Sequence, residues 1–440
     1  MIKGSINKII IFFIYISIFV NSYVFIKEPA EIYFGYLIFF LLLPVFILKF
    51  PAPKHLLVIF LILFASGVLN IFLGNDTFPM FLKIFLGLFF SYLFYYYVVL
   101  ELGFSMEKLF CFYLKGCYIV CVIGVVQFIS YRIGFKYGYD YSWLLNKWGV
   151  ISGGNFGIRI NSIFGEPTYF ATCVSAGMFV SVYNLIVKQP YYFSKFQSAL
   201  IVIIYFLSYS GVAYTAFFVA IIILLLNFGF IRYVVIFVPI FIGVYLFLYN
   251  NVPEFRDRYN GTVDIFSTGK FTVGKTHGSS IILYDNYQIA VKNFSNNFLV
   301  GSGLGSHPVA FKKYSITQNI GIYGISQNNL DASSMLIRLI SETGIFGTGL
   351  MLLVFFRCFI RRDLENNMPE HFWIISGAIA VMIAVNLLRQ GHYFLNGFPF
   401  FVWLYYYNYV YYKDYLTEQS ANENETIQQN NANIPVLKNK

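Results

Sequence analysis

Apolar residues run along this chain in blocks of about 20, the length a helix needs to cross a hydrocarbon core, and the blocks recur from Ile9 to Tyr411. Reading each block between charged or turn-forming residues predicts spans at 9–27, 31–48, 56–74, 79–100, 109–131, 167–187, 197–208, 211–228, 232–249, 333–356, 371–388 and 397–412. The predicted fold is an all-α polytopic membrane protein with about twelve transmembrane helices. The ambiguous block is 198–230, which is long for one span and short for two. Ser208-Tyr209-Ser210-Gly211 supplies the break that makes it two.

With that break, Lys3, Lys8, Lys49, Lys54, Lys108, Lys188, Lys195, Arg232, Arg357, Arg361, Arg362 and Lys413 share one side, which the positive-inside rule makes the cytoplasmic one. A single span there would invert every later connection. Both termini are therefore expected in the cytoplasm. Lys3 and Lys8 ahead of an apolar run imitate a signal peptide, but no small-residue cleavage site follows, so the first block is read as a span. Outside lie residues 132–166 and, between the ninth and tenth spans, residues 250–332, too long for a mere connector. The chain thus divides into helices one to nine (1–249), a large periplasmic loop (250–332), helices ten to twelve (333–412) and an Asn-, Gln- and Glu-rich tail (413–440) expected to be disordered and cytoplasmic.

Composition supports the membrane class, since 58% apolar against 11% charged residues is wrong for soluble domains. The net charge of +10 does not make a nucleic-acid binder, because the 30 Lys and Arg are scattered through short connections and form no basic face. All five cysteines fall inside apolar blocks, which argues against a disulfide or a thiolate metal site.

Two motifs mislead. Residues 269–276 satisfy the phosphate-loop spacing G-x4-G-K-T, but that loop needs a buried strand before it and a metal-holding acid after it, and here it lies in an outer segment. Gly301-Ser302-Gly303-Leu304-Gly305 has no βαβ context and is read as a tight turn that needs glycine. The preceding stretch, Ser280 to Phe294, has the spacing of an amphipathic helix lying on the loop or the membrane.

Charges near the outer surface carry more information, because ionisable groups at membrane depth face a cavity or a partner. Glu166 stands at the cap position before Pro167, where a carboxylate gains roughly 0.3–1 kcal/mol from the helix dipole without any further role. Arg159 precedes it in the same loop. Arg338 lies one to two turns into the tenth span, its side chain leaning toward the outer end, with Glu342 on the same face as a structural partner. Arg389 and His392 fall in the last outer loop. Three arginines at one depth suggest an anion site, since guanidinium pairs bidentately with phosphate oxygens and stays charged in a partly dry pocket; interfacial anchoring by long cationic side chains is the plainer account.

Residues 159–171 (RINSIFGEPTYFA), 280–306 ending in VGSGLGS, and 333–349 (SSMLIRLISETGIFGTG) resemble the bacterial O-antigen polymerase and ligase superfamily over roughly residues 150–400. The resemblance implies a glycosyltransferase of the inner membrane that works at the periplasmic face. It would join repeat units carried on undecaprenyl pyrophosphate, as both donor and acceptor, into O-antigen or a similar surface polysaccharide. Neither metal nor nucleotide sugar nor other cofactor is implied at this step; membrane lipid and a chain-length regulator protein are the implied partners.

On this resemblance Arg159, Arg338 and Arg389 would hold pyrophosphate, with Glu166 or His392 accepting the proton of the attacking hydroxyl. Ser333-Ser334 stand where ligases of the family present a His-Asn pair, which favours a polymerase, although His307 or His392 could compensate. The arginine-x10-glycine motif of some polymerases is matched by Arg258 with Gly269 but not from Arg159, which Phe170 follows at that spacing. The alternative from another class is a lipid-linked oligosaccharide flippase, against which stand the lack of an internal repeat and the concentration of polar residues outside.

Overall fold

In a medium without water a backbone can satisfy its own hydrogen bonds along a helix, and the computed structural model of the chain is built almost wholly that way. It describes residues 2–26, 31–153, 157–228, 249–251, 253–271, 276, 278–318, 329–363 and 368–432, and scattered positions between 235 and 246. Among these the helices are α1 (Ile2–Phe19), α2 (Phe34–Lys49), α3 (Lys54–Phe72), α4 (Phe78–Leu100), α5 (Met106–Arg132), the single turn α6 (Lys136–Tyr139), α7 (Pro167–Ile186), α8 (Lys195–Phe206), α9 (Gly211–Phe228), α10 (Pro253–Thr268), α11 (Gly278–Asn296), α12 (His307–Tyr314), α13 (Met335–Arg357), α14 (Glu370–Arg389) and α15 (Phe398–Ala432). A two-stranded ribbon of β1 (Val24–Ile26) and β2 (Ile32–Tyr33) is the sole sheet among the described residues.

Among the described residues seven helices, α3, α4, α5, α7, α9, α13 and α14, are long and apolar enough to cross a membrane. This is the build of an all-α polytopic membrane protein. Its surface agrees: Leu41, Val45, Leu48, Val58, Leu61 and Ile62 on α2 and α3 are all more than half exposed. Such a face is untenable in water and ordinary in lipid.

α7 and α14 lie at the centre, buried on nearly all sides and packed on each other and on α9. Their sequences explain it. Ala171, Ser175, Ala176 and Gly177 on α7, with Ser376, Gly377, Ala378 and Ala380 on α14, keep the helices thin enough for close approach. At Gly377 a Cβ would come within 2.7 Å of the Phe179 ring.

The helix ends are tied together in two sets. At one end Lys147 N donates to Ser22 O, Ile160 N to Leu207 O, and Ser334 Oγ to Leu387 O. At the other, Tyr191 Oη reaches Glu107, Arg362 N donates to Asn227 Oδ1, and Tyr183 Oη donates to Glu370 Oε2. The 250–332 segment contributes α10, α11 and α12 to the first end. α11 is the amphipathic helix expected there: Ile281 packs against Ile265 of α10, Ile289 against Ala310 and Phe311 of α12, and Asn293 Nδ2 donates to Ser341 Oγ of α13 at 2.7 Å.

Two features depart from the expected boundaries, at α1 and at α15. α1 spans Ile2–Phe19 instead of 9–27, because the chain from Val24 leaves the helix to pair with β2. α8 and α9 are separate helices as expected, and α8 has the expected short length, 12 residues, a rise of about 18 Å. α15 runs on to Ala432, where a disordered tail was expected from 413. No Gly or Pro interrupts residues 400–432, and Tyr412 and Tyr415 hold the extension against the Phe372 ring. Most of the expected span 232–249, and residues 272–275 of the phosphate-loop pattern, lie outside the described residues.

α13 carries a break that positions the outer segment. Gly344 has φ 61° and ψ −159°, and residues just beyond it, Ile345 and Phe346, donate their amides to the Phe298 and Leu299 carbonyls. A Cβ on Gly344 would lie 2.5 Å from Leu299 O and 2.6 Å from Gly301 N. We therefore expect Gly344→Ala to cost about 1–3 kcal/mol from its backbone conformation alone, with the collision added. A thermal unfolding profile of the detergent-purified variant that matches the parent would refute this.

Candidate functional site

The first residues of α13 are held by the last of α14. Ser334 caps α13 by accepting from Ile337 N and donates its own hydroxyl to Leu387 O at 2.7 Å. Before the cap, Ala332 and Ser333 both adopt φ near 58°, a left-handed conformation unfavourable for side chains with a Cβ. Asp331 Oδ1 accepts from Ser333 N at 3.1 Å and so closes that turn.

Beyond α14 the chain folds back over it. Gly391 lies so close to Asp331 that a Cβ there would overlap the Asp331 carbonyl. The next residue, His392, places Nε2 3.0 Å from Asp331 Oδ2. Burial works against the ionised Asp331, but the His392 hydrogen bond and charge, the Ser333 amide and Arg338 outweigh it and hold the carboxyl below the usual carboxylate range. The histidine is partly exposed. In its neutral form, with Nε2–H donating to the carboxylate, the imidazole has Nδ1 as an acceptor, the arrangement that orients it for proton transfer.

Arg338 lies beneath this pair and is 2% exposed. Its Nε meets Glu342 Oε1 at 2.9 Å, Nη1 donates to Gly391 O at 2.8 Å, and its guanidinium lies 4.6 Å from the Tyr393 ring centroid. Glu342 also accepts from Gly305 N at 3.0 Å, Tyr393 Oη at 2.9 Å and His307 N at 3.4 Å. One ion pair thereby fastens α13, the 301–306 turn and the segment after α14. Gly301, Gly303 and Gly305 take φ of 69°, 99° and 93°, which makes 301–306 the tight glycine turn its spacing suggested.

The α3–α4 turn brings a further acid to the same place. Asp76 is buried, with Oδ1 accepting from Thr77 N at 2.7 Å. Among the described residues, Asp76 Oδ2 and Arg338 Nη2 are buried side-chain atoms without hydrogen-bond partners. Burial pushes the Asp76 carboxyl up to about 7, with the Glu342 charge adding to the effect and the Thr77 amide and Arg338 opposing it.

Arg159 and Arg389 approach from another side. Arg159 Nε donates to Ser208 O at 3.2 Å, and Arg389 Nη2 lies 3.1 Å from where a Cβ on Gly211 would be. Both guanidinium groups rest against the turn between α8 and α9, and both are half-buried. Gln390 Nε2, next along the chain, donates to Thr172 Oγ1 of α7 at 3.0 Å.

Glu166 is the N-cap residue of α7, with Pro167 at the first helical position, but its carboxylate makes no capping hydrogen bond. It is exposed and lines a cleft of about 80 Å³ with Asn21, Tyr33, Lys147, Gly165, Tyr169 and Leu395.

All five residues singled out in the sequence, Arg159, Glu166, Arg338, Arg389 and His392, therefore lie at one end of the bundle, in distinct settings. Arg159 and Arg389 flank one turn, Arg338 is consumed by a buried pair, His392 is oriented by Asp331, and Glu166 faces its own cleft. Sequence reasoning missed Asp331, Asp76 and Tyr393. Asp331 sits just before a predicted span, where its only signal was an acid near a helix start. Asp76 lies in a short turn, and the charges that act on it, Glu342 and Arg338, are distant in sequence, while Tyr393 is one of 37 tyrosines.

Removing either member of the Arg338–Glu342 pair strands a buried charge. Arg338→Ala and Glu342→Ala are each expected to cost about 3–5 kcal/mol, while Arg338→Met with Glu342→Gln, which removes both charges and keeps an acceptor, costs less than either. Thermal unfolding of the variants checks this, and a double variant worse than both singles would overturn it. Asp76 makes a second prediction. The folded carboxyl keeps its proton to about pH 7, whereas an unfolded aspartate loses it near pH ~3.9. Between these values the folded state binds more protons, so this group lowers stability as pH rises from about 4 to about 7. Asp76→Asn should remove that contribution; a change in melting temperature between about pH 5 and about pH 7.5 equal to the parent's would contradict it.

Compared with known proteins, the chain matches no family model and no curated sequence, so the chemistry of this end of the bundle is argued from its own geometry.

Proposed function

We propose that the protein is a bacterial inner-membrane glycosyltransferase that polymerises undecaprenyl-pyrophosphate-linked repeat units at the periplasmic face, as an O-antigen polymerase does. The observation that carries this is the partly exposed His392–Asp331 pair at the same end of the bundle as Arg159 and Arg389, which share the α8–α9 turn. A proton acceptor near cations suited to pyrophosphate is what transfer from a lipid pyrophosphate requires.

In the reaction, a sugar hydroxyl of the incoming unit attacks the anomeric carbon of the donor glycan. The new C–O bond forms as the bond to pyrophosphate breaks, and the bonding pair leaves with undecaprenyl pyrophosphate. Arg159 and Arg389 stabilise the charge that develops there, and the hydroxyl proton passes to His392 Nδ1. Arg338 acts indirectly in this scheme: it holds Gly391 O and thereby sets the position of His392.

The topology proposed is about twelve spans with both termini cytoplasmic. The two separate sets of tied helix ends support it, because among the described residues these bonds join connections expected inside to one another at one end and connections expected outside to one another at the other. The proposed partners remain membrane lipid, the lipid-linked glycan and a chain-length regulator.

A ligase is the second reading, favoured by one observation. His307 Nε2 lies 3.1 Å from Asn286 Oδ1, and Asn286 Nδ2 donates to Ser333 Oγ at 3.2 Å, so a His-Asn pair from the large loop sits at the start of α13.

Deleting the gene in its host and complementing it with the parent, Arg159→Ala, Arg389→Ala or His392→Ala distinguishes these. A polymerase leaves core capped by a single repeat unit after deletion. Each variant, at normal membrane levels, should lose about 10²-fold or more in transfer and fail to restore the glycan ladder. Core without any repeat unit points to the ligase, and an unchanged ladder after deletion removes both.

A further inference from the structure

The polymerase scheme leaves the Glu166 cleft without a role. Its walls come from five separate segments: Asn21 after α1, Tyr33 of β2, Lys147 of the 140–149 loop, Gly165, Glu166 and Tyr169 at the start of α7, and Leu395. Carboxylate, amide, ammonium and phenol groups around two aromatic rings match a pyranose, which offers hydroxyls at its rim and an apolar C–H face.

The charges of the cleft restrict which sugar fits. Lys147 Nζ lies 2.5 Å from Glu31 Oε2 and 2.7 Å from Tyr33 Oη, and Tyr33 Oη also donates to Glu31. The lysine is thus paired with Glu31, which Lys83 also reaches electrostatically, and it covers the Tyr33 ring at 5.1 Å from the centroid. The Glu31 carboxyl is held below its usual range, since the Lys147 and Tyr33 hydrogen bonds outweigh the opposing effect of burial. Glu166 is the one carboxylate of the cleft lining, exposed and outside the Lys147–Glu31 pair. Tyr169 is the ring left for stacking.

The cleft also adjoins the proposed chemistry. Leu395 follows His392 by three residues, and Tyr169 is within electrostatic reach of both Glu166 and Asp331.

We infer that this cleft is a monosaccharide subsite that seats one ring of the acceptor glycan on Tyr169 and selects neutral or amino sugars over uronic acids through Glu166. The acceptor assignment rests on the glycosyltransferase proposed above; the sugar preference does not. A uronate would set a second carboxylate against Glu166, whereas hydroxyls donate to it and an ammonium pairs with it.

The test is saturation-transfer NMR on the full-length protein in nanodiscs, with the methyl glycosides of glucose, galactose and mannose beside their 2-amino and uronic acid forms. At least one neutral or amino glycoside should receive saturation, with its uronic counterpart weaker by about tenfold or more. Glu166→Gln should abolish that discrimination, Tyr169→Ala should abolish binding, and Tyr169→Phe, which keeps the ring, should retain it. Uronates that bind as well as neutral sugars, no glycoside binding, or Glu166→Gln and Tyr169→Ala variants indistinguishable from the parent would each overturn the subsite. Because the readout needs no turnover, a normal ladder with no glycoside binding sinks the subsite alone, and glycoside binding without any ladder defect on deletion sinks the polymerase alone.

Discussion

A guanidinium withdrawn from water is tolerated only where a carboxylate and further acceptors meet it, and that constraint organises one whole end of this molecule. Arg338 is almost fully buried and paired with Glu342 one helical turn on. Glu342 has more accepting capacity than one arginine uses, and it takes up the amides of Gly305 and His307 and the hydroxyl of Tyr393. The 301–306 turn is docked by these bonds, and the α3–α4 turn lies directly against it, where a Cβ on Gly303 or Gly305 would strike Asn70 or Met80. Through Nη1 the arginine also fixes the Gly391 carbonyl, and with it the strand of chain that presents His392 to Asp331. The cost of burying one charge is offset by a network that decides where the next residues stand.

The network matters more here than it would in a water-soluble protein. Where apolar side chains face lipid on both sides of folding, burying them against one another gives little driving force. α2 and α3 show this directly, with leucines and valines turned outward. What holds the central helices is close packing of small residues on α7 and α14, and what holds the ends is hydrogen bonding between loops. The thermal variants of the Arg338–Glu342 pair and of Gly344 probe these two ends of one connection, since α13 breaks at Gly344 to let the 297–301 segment bond across it.

Most helices could be read from the chain because apolar length is a local property, and the division at Ser208–Gly211 followed from the placement of lysines and arginines. Arg338 with Glu342 was equally legible, as a spacing of four on one helix puts two side chains on one face. The partners of that pair were not. Gly305, His307, Tyr393 and Asp76 come from three other segments, and nothing in the spacing of residues 76, 305 and 393 records that they meet. The same limit hid Asp331, whose importance lies in the fold-back at Gly391. The continuation of α15 to Ala432 escaped for a different reason: polar composition indicates a lack of burial, but a run free of glycine and proline retains helical propensity without it.

The arginines, taken together, separate into two kinds, and the separation bears on how a charged lipid substrate could be handled. Arg338 has given its charge to Glu342 and cannot offer it elsewhere without breaking the network. Arg159 and Arg389 are half-buried against one turn, where Gly211 leaves space for the Arg389 guanidinium. The cleft at Glu166 presents a carboxylate instead. On the polymerase proposal, a substrate anionic at its pyrophosphate and neutral or amino-bearing along its glycan would meet two poles on one surface, its lipid end at the α8–α9 turn and its sugars toward α7. His392, joined to the first pole through Arg389 and Gln390 and to the second through Leu395, stands on the stretch of chain between them. On the polymerase proposal, that placement, more than the basicity of any one residue, is the reason to prefer His392 over Glu166 as the proton acceptor.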